Sequence, residues 1–210
     1  MTEYQPNKRA NNPDYLLFHI NVLLDIAKEY KNSSTVIYAC LDARILLEYT
    51  DLNLILSSVQ PEERQEVIES SKPKNGIDKL NNKRKTLKEK YQLFFQNLSE
   101  LLGETCIYYD FKKSKDLQHR LSTYIHSYYM LESEINFESQ LMQAAFPLIE
   151  EVQTFIESSW SFNGSEYQIL GIEIETMPEE YLKVLEEWKV SKITIDELRE
   201  RLTRIIASPS

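Results

Sequence analysis

The chain has 210 residues, a formal net charge of −9 and 42% hydrophobic residues, which excludes a disordered chain and leaves enough apolar material for a sizeable core. With only four glycines and seven prolines it lacks the turn residues of a many-stranded sandwich or barrel, so the expected class is all-α, a helical bundle of about five to seven helices with a small C-terminal helical extension. The acidity argues against nucleic-acid binding through the whole surface. No run of ~18 apolar residues lacks a charge and the polar start has no apolar leader, so the expected setting is cytoplasmic, with no membrane partner.

Residues 1–12 are polar and rich in Asn and are expected to form a loose arm. Pro13 suits a first helical turn with Asn12 as cap, and Tyr15, Leu16, Phe18, Ile20, Leu23, Leu24, Ala27 and Tyr30 carry that helix to about Lys31. Ser33 or Ser34 caps a second helix, about 35–58, that is apolar on nearly all sides and therefore belongs at the centre of a bundle. Its Asp42, Arg44, Glu48 and Asp51 cannot then all face water. Arg44 and Glu48, four apart, either form a structural ion pair or send one member towards His126. A short helix, PEERQEVIESS, ends in the exposed loop SKPKNG. From Ile77 a long helix follows, with Leu80, Leu87, Tyr91, Phe94, Leu98 and Leu101 at near-heptad steps and Gly103 as its C-terminal cap.

Charge is uneven along the chain. Lys72–Lys90 holds eight basic residues against two acidic ones, Lys83 and Arg84 among them, whereas residues 132–200 hold sixteen acidic against four basic. The basic run reads either as a solvated helix face or as a contact for phosphate. Asp110 or Ser114 then caps the next helix, with Lys112, Lys113 and Lys115 near its start. Within Asp116–Leu131, DLQHRLSTYIHSYYML, Leu117, Leu121, Tyr124, Tyr128 and Leu131 fall on one helix face and should be buried. His119, Ser122, His126 and Tyr129 form a polar stripe beside it, with Arg120 one residue off. After ESEIN a helix from Phe137 to about Trp160 should kink or restart at Pro147. SFNGS marks a turn, residues 172–175 an extended strap, Pro178 the start of a helix through Trp188, and TIDE a capping box for a last helix through Ile206. The expected division is an arm (1–12), a bundle (13–160), and a strap with a helical pair (161–210) packed on or appended to it. Cys40 and Cys106 sit in apolar or aromatic segments and read as buried free thiols.

The scattered glycines write no P-loop and no dinucleotide fingerprint, and no GxSxG elbow or CxxC pair occurs. His119 and His126 lie seven residues apart, ~10 Å along a helix, too far to share one ion unaided. No metal and no cofactor are expected. What remains is Arg120 followed by His126, which resembles the R-x(4-6)-H motif of the HEPN superfamily, small all-helical proteins many of which are ribonucleases in defence and toxin–antitoxin systems. The setting is similar too: an apolar early helix, YACLDARILLEY, an intervening basic helix, and the motif on a later one. The resemblance implies a HEPN-like fold over about residues 13–160, a homodimer, and metal-independent cleavage of RNA. His126 would then be the acid or base for the ribose hydroxyl, Arg120 the phosphate clamp, and His119, Ser122, Arg44 and Glu48 supports. Leu121 stands where family members often carry a polar residue. Arg120 and His126 are about 120° apart round a helix, so the arginine bends back or a partner subunit completes the site. The other reading is a non-catalytic scaffold that binds a protein partner through its acidic C-terminal third or its aromatic surface. In that case His126 packs against Tyr129 and Arg120 is a surface arginine paired to Asp116. On either reading His19 is a core or interface histidine, and His119 could equally face solvent.

Overall fold

A computed structural model describes residues 13–73, 75–103, 109–126, 129–160 and 178–207. The N-terminal arm, Cys106, Tyr128, the SFNGS turn and the strap at 172–175 lie outside the described residues. Those described form ten α-helices and no strand, as the all-α class requires. In chain order they are α1 Pro13–Tyr30, α2 Ser33–Ser57, α3 Arg64–Ser71, α4 Gly76–Lys83, α5 Lys85–Leu102, α6 Phe111–Ile125, α7 Glu132–Ile135, α8 Gln140–Trp160, α9 Glu179–Lys189 and α10 Ile195–Ala207.

Eight of these, α1–α8, precede the C-terminal pair, more than the five to seven expected there, because of local breaks. The long helix expected from Ile77 divides at Arg84, whose φ of −108° and ψ of 19° end α4 before α5 begins. A further four-residue turn, α7, fills the ESEIN connection. Elsewhere the local chemistry matches the pattern. Gly103 ends α5 at φ 72°, a left-handed cap where a side chain would be strained. Gly76 opens α4 where a β-carbon would collide with the Ser70 and Ser71 carbonyls. Thr194 and Glu197 complete their box: the Thr194 N–H donates to Glu197 Oε2 at 2.7 Å and the Glu197 N–H to Thr194 Oγ1 at 3.3 Å. These bonds hold the Glu197 carboxyl below its ordinary range. The cap of α2 is Asn32 rather than a serine, since Asn32 Oδ1 accepts from the Ser34 N–H at 2.9 Å. Pro147 lies inside a single helix, α8, which does not restart there.

The chain forms two compact units. The first takes the chain through Asn53 and Asp110–Glu157; the second takes Leu54–Tyr109 and Ser158 onward. In the first, α1, α2, α6 and α8 close a ring of neighbours. His19 of α1 bonds Asp42 of α2, Arg44 of α2 bonds Ser122 of α6, Arg120 of α6 pairs with Glu151 of α8, and Gln153 of α8 bonds Asn21 of α1. A second contact on three of these seams runs the opposite way along the partner: Asp51 with Ser114, Lys113 over Phe155, and Lys28 over Phe146. With only Lys31 and Asn32 between α1 and α2, every adjacent pair is antiparallel, the up-and-down arrangement of a four-helix bundle. Its core includes Leu16, Ile20, Ala39, Cys40, Leu46, Leu117, Leu121, Met142 and Ile149. Burial pushes the Cys40 thiol up to about 12, so it packs as a small apolar group.

In the second unit α5 packs against α9 and α10, so the C-terminal helical pair sits on α5. Phe94, Phe95 and Leu98 on α5 are buried, as are Val184, Leu185 and Trp188 on α9 and Leu198 and Leu202 on α10. Lys90 fastens the end of α9: its ammonium donates to the Trp188 carbonyl at 2.8 Å and to Ser191 Oγ, while the Trp188 indole N–H donates back to the Lys90 carbonyl at 2.7 Å.

Candidate functional site

The motif helix α6 begins earlier and ends earlier than its periodicity suggests. Asp110 Oδ1 caps it by accepting from the Lys112 and Lys113 N–H groups at 2.8 and 3.1 Å, and the helix stops at Ile125. His126 follows with φ −93° and ψ 49°, its N–H still bonded to the Ser122 carbonyl. Three of the five apolar positions of the stripe, Leu117, Leu121 and Tyr124, are buried as expected. Leu131 is not: it is exposed at the start of α7, because the helical period no longer applies beyond His126. Burial raises the Tyr124 phenol above its ordinary range, Cys40 adds to that, and Arg120 opposes it.

Arg120 is partly exposed and held by acids. Its Nη1 lies 2.8 Å from Glu151 Oε2 on α8 and 3.6 Å from Asp116 Oδ2 one turn earlier. Lys113 shares Glu151 at 3.8 Å and lies over the Phe155 ring at 5.3 Å. Lys112, Lys115, His119 and His126 are exposed. No hydrogen bond or ion pair joins Arg120 to His126 among the described residues. Lys83 and Arg84 belong to the second unit, where Lys83 lies 3.6 Å from Glu66 and Arg84 3.2 Å from Glu63. Acidic partners thus take up the charge of both residues within their own unit.

Three of the four supporting residues come together, Arg44, Glu48 and Ser122, whereas His119 is exposed and makes no hydrogen bond or ion pair with them among the described residues. Arg44 donates from Nε to Glu48 Oε1 at 2.9 Å and from Nη1 to Ser122 Oγ at 2.7 Å, and Ser122 Oγ in turn donates to the Gln118 carbonyl at 2.7 Å. Arg44 and Glu48 thus form the ion pair that their spacing allowed, and Arg44 also reaches Ser122, one turn before His126, without a bond to the His126 side chain among the described residues. The Arg44–Ser122 contact continues into a seam that sequence reasoning missed. Ser114 Oγ donates to Asp51 Oδ1 at 3.0 Å, and Gln118 Nε2 donates to Asp51 Oδ2 at 2.9 Å, around a carboxylate only 3% exposed. The signal was present as Ser114, Gln118 and Ser122, polar residues four apart on α6 and matched by Arg44, Glu48 and Asp51 on α2. Asp51→Ala is expected to lower stability by ~1–3 kcal/mol, because it removes the buried acceptor shared by the Ser114 hydroxyl and the part-buried Gln118 amide, and Asp51→Asn by less, since its amide oxygen still accepts. Chemical denaturation checks this; an Asp51→Ala protein as stable as the parent would show that the seam contributes nothing.

Of the two places expected for His19, core or interface, the structure excludes the core: the residue is half-buried at the α1–α2 seam. Its side chain is 41% exposed, with Nδ1 2.5 Å from Asp42 Oδ2 and the ring stacked on Tyr15 at 5.7 Å. Around it the outer sides of α1 and α2 expose Tyr15, Phe18, Ile26 and Tyr38.

Among the described residues, no group of three or more His, Cys, Asp or Glu side chains is arranged to hold a metal ion, and no helix is long and apolar enough to cross a membrane. Compared with protein-family models, with curated proteins and with solved structures, the chain matches none.

Proposed function

We propose that this chain is a non-catalytic helical interaction module that binds a protein partner through the outer side of its four-helix unit. The observation that carries the reading is the exposed apolar row on α1 and α2, taken together with a motif arginine, elsewhere on the unit, whose Nη1 is held by carboxylates. A clamp for a phosphate needs a guanidinium whose fork is open to the ligand. Arg120 Nη1 instead sits between Glu151 and Asp116, two carboxylates that balance the charges of Arg120 and Lys113. An exposed apolar row on a helical bundle is a recognised mark of a protein-interaction surface.

A second reading, a HEPN-like metal-independent ribonuclease acting as a homodimer, is favoured by one specific contact. The Arg44–Ser122 bond ties the YACLDARILLEY helix to the motif helix one turn before the exposed His126. Exposed Lys112 and Lys115 on the same helix add to that reading.

The two readings separate in a single assay. Unstructured RNA incubated with the full chain in excess chelator is expected to stay intact, with His126→Ala and Arg120→Ala indistinguishable from the parent. Cleavage that disappears in His126→Ala, with melting temperature unchanged, would overturn the non-catalytic reading and establish the nuclease.

A further inference from the structure

We infer that the outer face of the α1–α2 hairpin is a groove for one amphipathic helix that carries basic residues along one edge of its apolar stripe. The inference deepens the interaction-module reading and rests on it.

The groove has two apolar walls. On α1, Tyr15, Phe18, Val22 and Ile26 recur at steps of three, four and four, with Tyr15 49% and Phe18 65% exposed. On α2, Leu41 and Ile45 are half-buried and continue the row from Tyr38, which is 58% exposed. The His19–Asp42 bond joins the two walls between these rows. A helix packed by neighbours on three sides normally turns a polar fourth side to water. The fourth side of α2 carries Tyr38, Leu41 and Ile45 instead, so water is not the solvent this face is made for. From Tyr15 to Ile26 the wall runs about 16 Å, three helical turns, which matches recognition of a helix through anchors at i, i+3 or i+4, and i+7.

Charge selects among the occupants. Asp14, Asp25 and Glu29 are exposed along the outer edge of α1, and among the described residues no hydrogen bond or ion pair engages them. Other carboxylates of the same unit, Asp42, Glu48 and Glu151, each hold a donor. Along the opposite edge Arg44 and Glu48 neutralise each other. With Lys28, drawn towards Phe146, as the one exposed cation among them, the α1 edge is net acidic while the other is balanced, and the complementary ligand is a helix with Lys or Arg on one flank. A second copy of this chain would bring the same acidic edge, and an anionic lipid surface would be repelled.

The test uses two labelled, designed peptides of about 18 residues with the same leucine stripe, long enough for several helical turns, one flanked by lysine and the other by glutamate. Anisotropy titrations against the full chain should show the lysine peptide binding at least about tenfold more tightly. Phe18→Glu and Tyr38→Glu should each weaken it by about tenfold or more, as loss of a central aromatic anchor does. Asp25→Lys with Glu29→Lys should narrow or reverse the peptide preference, whereas charge reversal at Glu179 and Glu180, exposed on α9, should leave it unchanged. Unchanged circular dichroism and melting establish that each variant is folded. Absent binding, indifference to Phe18→Glu and Tyr38→Glu, or an equal effect of the α9 reversal each overturns the proposal. So does self-association in sedimentation velocity that Tyr38→Glu abolishes, since the face would then belong to a second copy. Peptide failure without RNA cleavage rejects this ligand alone, whereas RNA cleavage lost in His126→Ala rejects the underlying reading whether or not the peptide binds.

Discussion

Trp188→Ala is expected to destabilise the second unit by about 3–5 kcal/mol, the range for removing a buried large aromatic side chain. Three contributions meet at this residue. The indole is 8% exposed among α5, α9 and α10, so its removal leaves a cavity that helices fixed by their neighbours fill only in part. Its N–H bond to the Lys90 carbonyl is lost. The Lys90 ammonium, 5.0 Å from the ring centroid, also loses an aromatic face while keeping its bonds to the carbonyls that end α9. Trp188→Phe should cost less, because most of the apolar volume stays, and Lys90→Met less again, because water can replace much of what the ammonium supplies. Urea unfolding followed by circular dichroism gives the order. A Trp188→Ala loss below ~1 kcal/mol would mean that the C-terminal pair contributes little to this unit.

Fold class was legible because it depends on frequencies and periods: few turn residues, Leu and Glu in quantity, and apolar residues at helical steps. Caps that depend on local residue types were legible too, as Gly103, Asp110 and the Thr194–Glu197 box show. What sequence did not reveal lies in pairings between distant segments. That Asp51 is buried follows from the apolar surroundings of α2, but that Ser114 and Gln118 receive it depends on α6 lying antiparallel beside α2. Periodicity also overran the end of α6. Tyr128 and Leu131 extend the stripe on paper, yet the backbone leaves the helix at His126, and Leu131 ends in solvent. The same limit governs the candidate site. Arg120 and His126 are six residues apart in any fold, whereas the partner of Arg120, Glu151, lies on α8, and only the tertiary arrangement brings it within 2.8 Å.

The apolar character of α2 illustrates how one sequence signal supports two different structures. A helix apolar all round was expected at the bundle centre, and the sides facing α1, α6 and the core are indeed closed by Ala39, Cys40, Ala43 and Leu47. The remaining side stays partly open. An apolar pattern reports that a surface is meant to be covered, without distinguishing cover within the chain from cover by a partner.

Leu121→Ala is expected to lower the stability of the first unit by about 2–5 kcal/mol, while His126→Ala, five residues on, should stay within about 0.5 kcal/mol of the parent. Leu121 is 0% exposed on the α6 face that also buries Leu117, so truncation removes its transfer free energy and leaves a void among residues held on several helices. His126 is exposed beyond the helix end, where the contact that fixes its backbone is its own N–H to Ser122, and that bond does not need the imidazole. The contrast matters for any assay of function. A variant on the buried side of α6 loses activity by unfolding, so only exposed positions such as His126 and Arg120 separate chemistry from stability. Thermal or urea unfolding of the two proteins side by side gives the answer: a Leu121→Ala cost under ~1 kcal/mol would remove the stripe from the core, and a His126→Ala cost above ~2 kcal/mol would make that histidine structural.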